Sequence, residues 1–186
     1  GNPNETLINT TPDPVVVTYV YTLTANGCSN VQNVTVTVNP TPVLTSTVTP
    51  PAICSNTLFS YTPASLTAGT TFGWARAAVA GISNVAATGT DDPNETLINI
   101  GANPVAVTYI YTLTANGCSN VQNVIVTVKP TPVLSSTLTP AAICNNTVFS
   151  YTPASATAPV AFNWSRAAVT GISNLAATGT DNPNET

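Results

Sequence analysis

Histidine and methionine are absent, and charge is scarce: three Lys and Arg against seven Asp and Glu, 5% of 186 residues. Without His, no side chain titrates near neutrality to serve as a base, and no imidazole is present to hold a metal. The many Ser and Thr hydroxyls have no activating partner visible in the sequence, so nucleophilic catalysis finds no support. A net charge of −4 with so few cations argues against nucleic acid, whose phosphates demand Lys and Arg in numbers. Mean hydropathy is positive, yet no run approaches the ~18 apolar residues of a membrane span. Ordinary soluble domains carry about 25% charged residues; here solubility rests on hydroxyls and amides.

What is present is repetition. PNETLIN at 3–9 returns at 93–99, and YTLTANGCSN at 21–30 returns at 111–120. PTPVL, YTPAS and GISN recur at the same 90-residue spacing. With no gap, about three in four aligned residues are identical. A period this long exceeds a solenoid repeat and suits one small domain.

Asn39-Pro40-Thr41-Pro42 and Lys129-Pro130-Thr131-Pro132 read as linkers, because proline fixes φ and donates no ladder hydrogen bond. The expected division is therefore a complete unit at 43–130, the C-terminal half of a unit at 1–42, and the N-terminal half of another at 131–186. The halves are complementary: 131–186 followed by 1–42 makes one unit, with PNET present twice. Half a sandwich cannot bury its apolar face alone. Either a longer chain or neighbouring copies, head to tail, would complete it. Closure within one chain is disfavoured, since a sandwich's two ends lie at opposite poles.

Abundant Thr and Val favour strands, and Pro, Asn and Gly favour turns. In the complete unit strands are expected at 43–48, 57–62, 71–76, 82–87, 95–100, 105–114 and 120–128. The clearest alternates Val107, Tyr109, Tyr111 and Leu113 with Thr108, Ile110, Thr112 and Thr114. Asn116-Gly117 then supplies the positive-φ pair of a type I′ hairpin. Seven short strands with Trp74 on the third resemble an immunoglobulin-like sandwich. Trp74 and Trp164 read as core side chains or, alternatively, as an exposed sugar platform.

The segments ICSN, FSYTPAS, TTFGWARAAVAGISN, NETLIN and VTYIYTLTANGCSNVQNVIVTV, in this order, resemble the PKD-like, Ig-like repeats of very large secreted surface proteins of Bacteroidetes. The resemblance covers the whole chain. It implies tandem seven-stranded Ig-like (PKD-like) β-sandwich domains, one complete and two complementary halves. It further implies a bacterial cell-surface location, export by the type IX route, and a stalk or adhesive role. The W-D-F-G-D-G signature of typical PKD domains is missing, and TFGWARAAV stands in its place.

In a secreted chain, one A-I-C cysteine (Cys54, Cys144) and one N-G-C cysteine (Cys28, Cys118) per repeat read as a disulfide framework. Pairing within a repeat (Cys54 with Cys118) and pairing between repeats both remain open. The acidic turn holds Asp91, Asp92 and Glu95, whose hard oxygens suit Ca²⁺ better than acid–base catalysis. A solvated turn with no cofactor is the plainer reading. Arg76 and Arg166 are expected to pair with a carboxylate of that turn or to cap a strand end.

The sequence thus points to a non-enzymatic structural segment of an extracellular adhesin, stalk or filament. Its expected partners are neighbouring repeats or copies of itself, with a surface polysaccharide as a further candidate. The alternative is a carbohydrate-binding module array accessory to a secreted enzyme.

Overall fold

The computed structural model describes residues 2–185, and among these the chain is all β. In chain order the strands are β1 (Val15–Ala25), β2 (Cys28–Val38), β3 (Ile53–Cys54), β4 (Thr57–Phe59), β5 (Thr71–Arg76) and β6 (Ala87–Thr90). They continue as β7 (Glu95–Leu97), β8 (Val105–Ala115), β9 (Cys118–Lys129), β10 (Asn163–Arg166) and β11 (Ala177–Thr180).

The sheet of the central unit runs β3-β9-β8-β5-β6, and β4 pairs with β7 as a second, smaller sheet. All pairings are antiparallel except β3 with β9. The hairpin β8–β9 is the centre of this arrangement. Its tip, Asn116 (φ 50) and Gly117 (φ 80), adopts the type I′ geometry expected from Asn-Gly. Alternation then puts Val107, Tyr109, Tyr111 and Leu113 of β8, with Val124, Val126 and Val128 of β9, on one face with no exposure. Phe59, Tyr61 and Leu97 come from the second layer, and Trp74 from β5, to close the core. Rings interlock there: Trp74 meets Tyr109 edge-on at 5.5 Å, and Phe59 lies 5.1 Å from Tyr109.

Two expected strands form differently. Residues 43–48 make no regular strand; Thr45 N–H donates to Ala64 O and Val48 O accepts from Ile125 N–H, so the segment passes between the layers. Its neighbouring prolines remove the donors that a continuous ladder needs, and pairing begins only at Ile53. Residues 82–87 contribute one bridge, Ile82 with Asn99, and the strand lies instead at Ala87–Thr90. Gly89 explains the shift. It faces Trp74 on β5, and a Cβ there would come within 2.6 Å of the indole.

The flanking segments fold as fragments of the same pattern. β1–β2 repeats the register of β8–β9, ending in the same turn, and β10–β11 repeats part of β5–β6. Every buried hydrophobic residue outside the prolines lies between Phe59 and Val128. The first linker is docked, not free. Pro40 and Pro42 are fully buried, Asn120 Nδ2 donates to Pro42 O, and Asn39 Nδ2 donates to Asn116 O.

Candidate functional site: the buried ion pair and the two poles

The acidic turn resolves into three separate structural roles. Glu95 on β7 receives Arg76 Nε and Nη2 at 2.8 Å each, and the Tyr109 hydroxyl at 2.7 Å. Arg76 is buried and also donates to the carbonyls of Ala77 and Val85. Burial pushes the Glu95 carboxyl up, but the hydrogen bonds from Arg76 and Tyr109 and the guanidinium charge outweigh it and hold the group below its ordinary value. Hydrogen bonding to Glu95 raises Arg76, while burial, then the phenol's own hydrogen bond to Glu95, pushes Tyr109 far up. This triad ties β5, β7 and β8 together across the two layers.

Asp92 points elsewhere. Its carboxylate accepts from Ser60 Oγ, Tyr61 N–H and Asn94 N–H. Burial opposes ionisation, yet these donors leave its pKa lowered. In the following copy Asn182 Oδ1 accepts from Tyr151 N–H at 2.8 Å, so the position needs an acceptor and not a charge. Asp91 works through its backbone in the left-handed region (φ 55): its N–H donates to Phe72 O and its O accepts from Tyr111. The three candidate calcium ligands thus do not converge. Among the described residues no group of three or more His, Cys, Asp or Glu side chains is placed to hold a metal.

The aromatic question is answered by burial. Trp74 is 8% exposed and Tyr109 has no exposure. Trp74 Nε1 has no hydrogen-bond partner, which fits an indole pressed against Gly89 and not a polar handle offered to a sugar.

The cysteines sit at two poles. Cys118 opens β9 at the hairpin tip, while Cys54 is registered with Lys129 at the far end of β9. Twelve residues of strand separate those ends by about 37 Å at ~3.4 Å per residue. A disulfide spans only about 4.4–6.8 Å between Cα atoms. The within-repeat pair Cys54–Cys118 is therefore excluded, and all four cysteines, Cys28 and Cys144 included, are free thiols in this structure.

The central unit thus sets a five-stranded sheet, antiparallel but for β3 at its edge, against the two-stranded β4–β7 layer. Residues 51–132 match the family model of the PKD-like domain. The match supports reading that stretch as a PKD/Ig-like repeat. Domains of this type are typically non-catalytic and serve as structural or extracellular repeat modules. No curated protein is similar enough to this chain to be matched.

The pairing of Arg76 with a carboxylate of the acidic turn, one of the two roles expected from the sequence, forms with Glu95. The Tyr109–Glu95 bond is legible in the sequence only as two residues of the 90-residue repeat, with nothing to show that they meet. The docked linker was missed as well. Asn39 reads as linker, Asn116 as turn and Asn120 as strand; in the structure the Asn39 side-chain amide donates to the Asn116 carbonyl and that of Asn120 to the Pro42 carbonyl, holding the linker on the hairpin.

Proposed function

We propose that this chain is a segment of an extracellular stalk, adhesin or filament in which PKD-like units join end to end and act as spacers. Residues 43–130 serve as one complete unit, and 1–42 and 131–186 as the parts of its neighbours. The docked linker carries this reading. Buried prolines and the Asn39 and Asn120 amide bonds hold a joint in one orientation, and a fixed joint converts added units into length. A carbohydrate-binding array would need solvent-facing aromatics, whereas Phe59, Tyr61, Trp74, Tyr109 and Tyr111 are all buried.

The joint also orders the thiols. Asn39, at the end of one unit, bonds to Asn116 in the next unit's hairpin tip. Lys129 holds the Asn39 position one repeat later, beside Cys54. In a longer array Cys54 thus lies at the joint where the next unit presents its N-G-C thiol. With a small-molecule disulfide as oxidant, two such thiols form one S–S bond, release two protons and reduce the oxidant to two thiols.

Arrays of two, four and six repeats of residues 43–132 test the reading by small-angle X-ray scattering. The maximum dimension should grow by a constant ~40 Å per unit, the length of β9 at ~3.4 Å per residue. Peptide maps of the same arrays, oxidised with glutathione disulfide, should join each Cys54-type residue to the following N-G-C. Growth with the square root of unit number, as for freely jointed units, contradicts the spacer role.

A further inference from the structure

The PKD-like unit is complete only where a β8–β9 hairpin lies on β5. Residues 131–185 carry the rest of that unit, and they present the matching surface open. Phe149 and Tyr151 stack at 6.4 Å, as Phe59 and Tyr61 do at 6.3 Å. Arg166 holds Glu185 as Arg76 holds Glu95. A cleft of about 490 Å³ opens between Ile143, Phe149, Arg166, Ile172 and Glu185. The equivalents of these residues in the central unit are Ile53, Phe59, Arg76, Ile82 and Glu95. There, β8 and β9 fill the space: Val128 pairs with Ile53 and Tyr109 donates to Glu95.

The chain also carries an unused hairpin. β1–β2 is already folded in the β8–β9 register, but its core face is bare. Tyr21 is 38% and Leu23 49% exposed, where Tyr111 and Leu113 have none. From Pro14 to Val38 it differs from 104–128 only at Val16, Val20 and Thr35, which match Ala106, Ile110 and Ile125. All three of those face outward in the central unit. The core faces are the same. Each of the twelve buried core residues and the six packed around them in the central unit has an identical counterpart, either in 131–185 or in 1–42.

We infer that residues 131–185 of one molecule take the β1–β2 hairpin of a second copy, laid on β10 in the register that β8 keeps on β5. Phe162 then pairs with Leu23 of the incoming copy and Trp164 with its Tyr21, as Phe72 pairs with Leu113 and Trp74 with Tyr111. Tyr19, whose hydroxyl now donates to Glu5, comes to the Arg166–Glu185 pair and completes the triad. The incoming chain also supplies the Asn30 amide to Pro132, which is exposed, whereas Pro42 is buried under Asn120. This is β-strand addition in which both partners are read from one sequence.

Geometry forbids a molecule from serving itself. The hairpin leads into the linker at the Asn116 pole, and residues 131–185 leave from Lys129 at the other end of β9. Those attachments lie about 37 Å apart at ~3.4 Å per residue. The interface is therefore heterologous and propagates as a filament. The inference rests on the end-to-end reading above.

The test uses the full chain and two variants of opposite defect. Tyr21→Asp spoils the donor hairpin, and Phe149→Asp spoils the acceptor; neither touches the central unit, whose denaturation transition checks folding. By light scattering after size exclusion, wild type should rise at least tenfold above its 19.0 kDa chain mass as concentration increases. Each variant alone should stay at one chain. Mixed in equal amounts, they should stop at two chains, because one good acceptor meets one good hairpin. Wild type that stays monomeric at every concentration overturns the inference, and if its scattering still shows an extended rod, the spacer reading stands. Growth that persists in Tyr21→Asp, as edge-to-edge strand pairing would give, overturns it as well.

Discussion

The hairpins β1–β2 and β8–β9 share register, turn and every core-facing residue, yet one is bare and the other is the centre of a core. Sequence made both hairpins; the layer beneath made only one of them a core. Local signals suffice for the Asn-Gly turn and the alternating strands. Burial needs Phe59 of β4, Tyr61 just beyond it, Leu97 of β7 and Trp74 of β5, and β1–β2 meets no such layer among the described residues. The energy of this fold therefore resides between layers, and a two-stranded ribbon holds little of it.

The largest test of that difference is one substitution made twice. Tyr109→Ala removes a fully buried ring packed on Trp74 and Phe59, together with its bond to Glu95. It should destabilise the central unit by about 4 kcal/mol, the range for large-to-small changes in a core. Tyr19→Ala, at the same place in the bare hairpin, should leave the denaturant midpoint of a dilute monomer unchanged. Equal losses from both would erase the distinction between the two regions.

A smaller effect comes from the buried charge. Glu95→Gln leaves Arg76, at 2% exposure, without its counter-ion, a loss of about 3 kcal/mol. Glu185→Gln should cost less, because its pair with Arg166 is only half-buried. Acid reads the same contact in the wild type. Glu95 and Asp92 have folded-state pKa values below their ordinary ones. Their stabilisation is whole above an ordinary carboxylate pKa of about 4.3 and is lost as pH falls through the lower folded values. Denaturant midpoints across acid pH should therefore decline with falling pH, more steeply in wild type than in Glu95→Gln. Parallel curves would remove Glu95 as the cause.

How much of this was legible follows the same division between local and layered information. β8, β9 and their turn could be read from alternation and Asn-Gly, and β5 from the Phe72–Trp74 spacing. β6 could not, since Ala87-Thr88-Gly89-Thr90 has no apolar alternation, and Gly89 earns its place only under the indole of Trp74. The run at 43–48 has strand composition but spends its backbone bonds on two different partners. A simple Ig-like strand order already puts Cys54 and Cys118 at opposite poles, and the parallel β3–β9 pairing gives that separation its size, a full strand length. The prolines read as a linker; their burial depended on Asn39 and Asn120, whose partners lie 77 and 78 residues away.

Amide hydrogen exchange on the dilute, monomeric full chain weighs the two hairpins most directly. If the stretch from Val43 to Pro130 is a self-sufficient module, amides of β8 and β9 should exchange only through its global unfolding, while the matching amides of β1 and β2 exchange through far easier local opening. Matching protection in the two hairpins under those conditions would contradict the account.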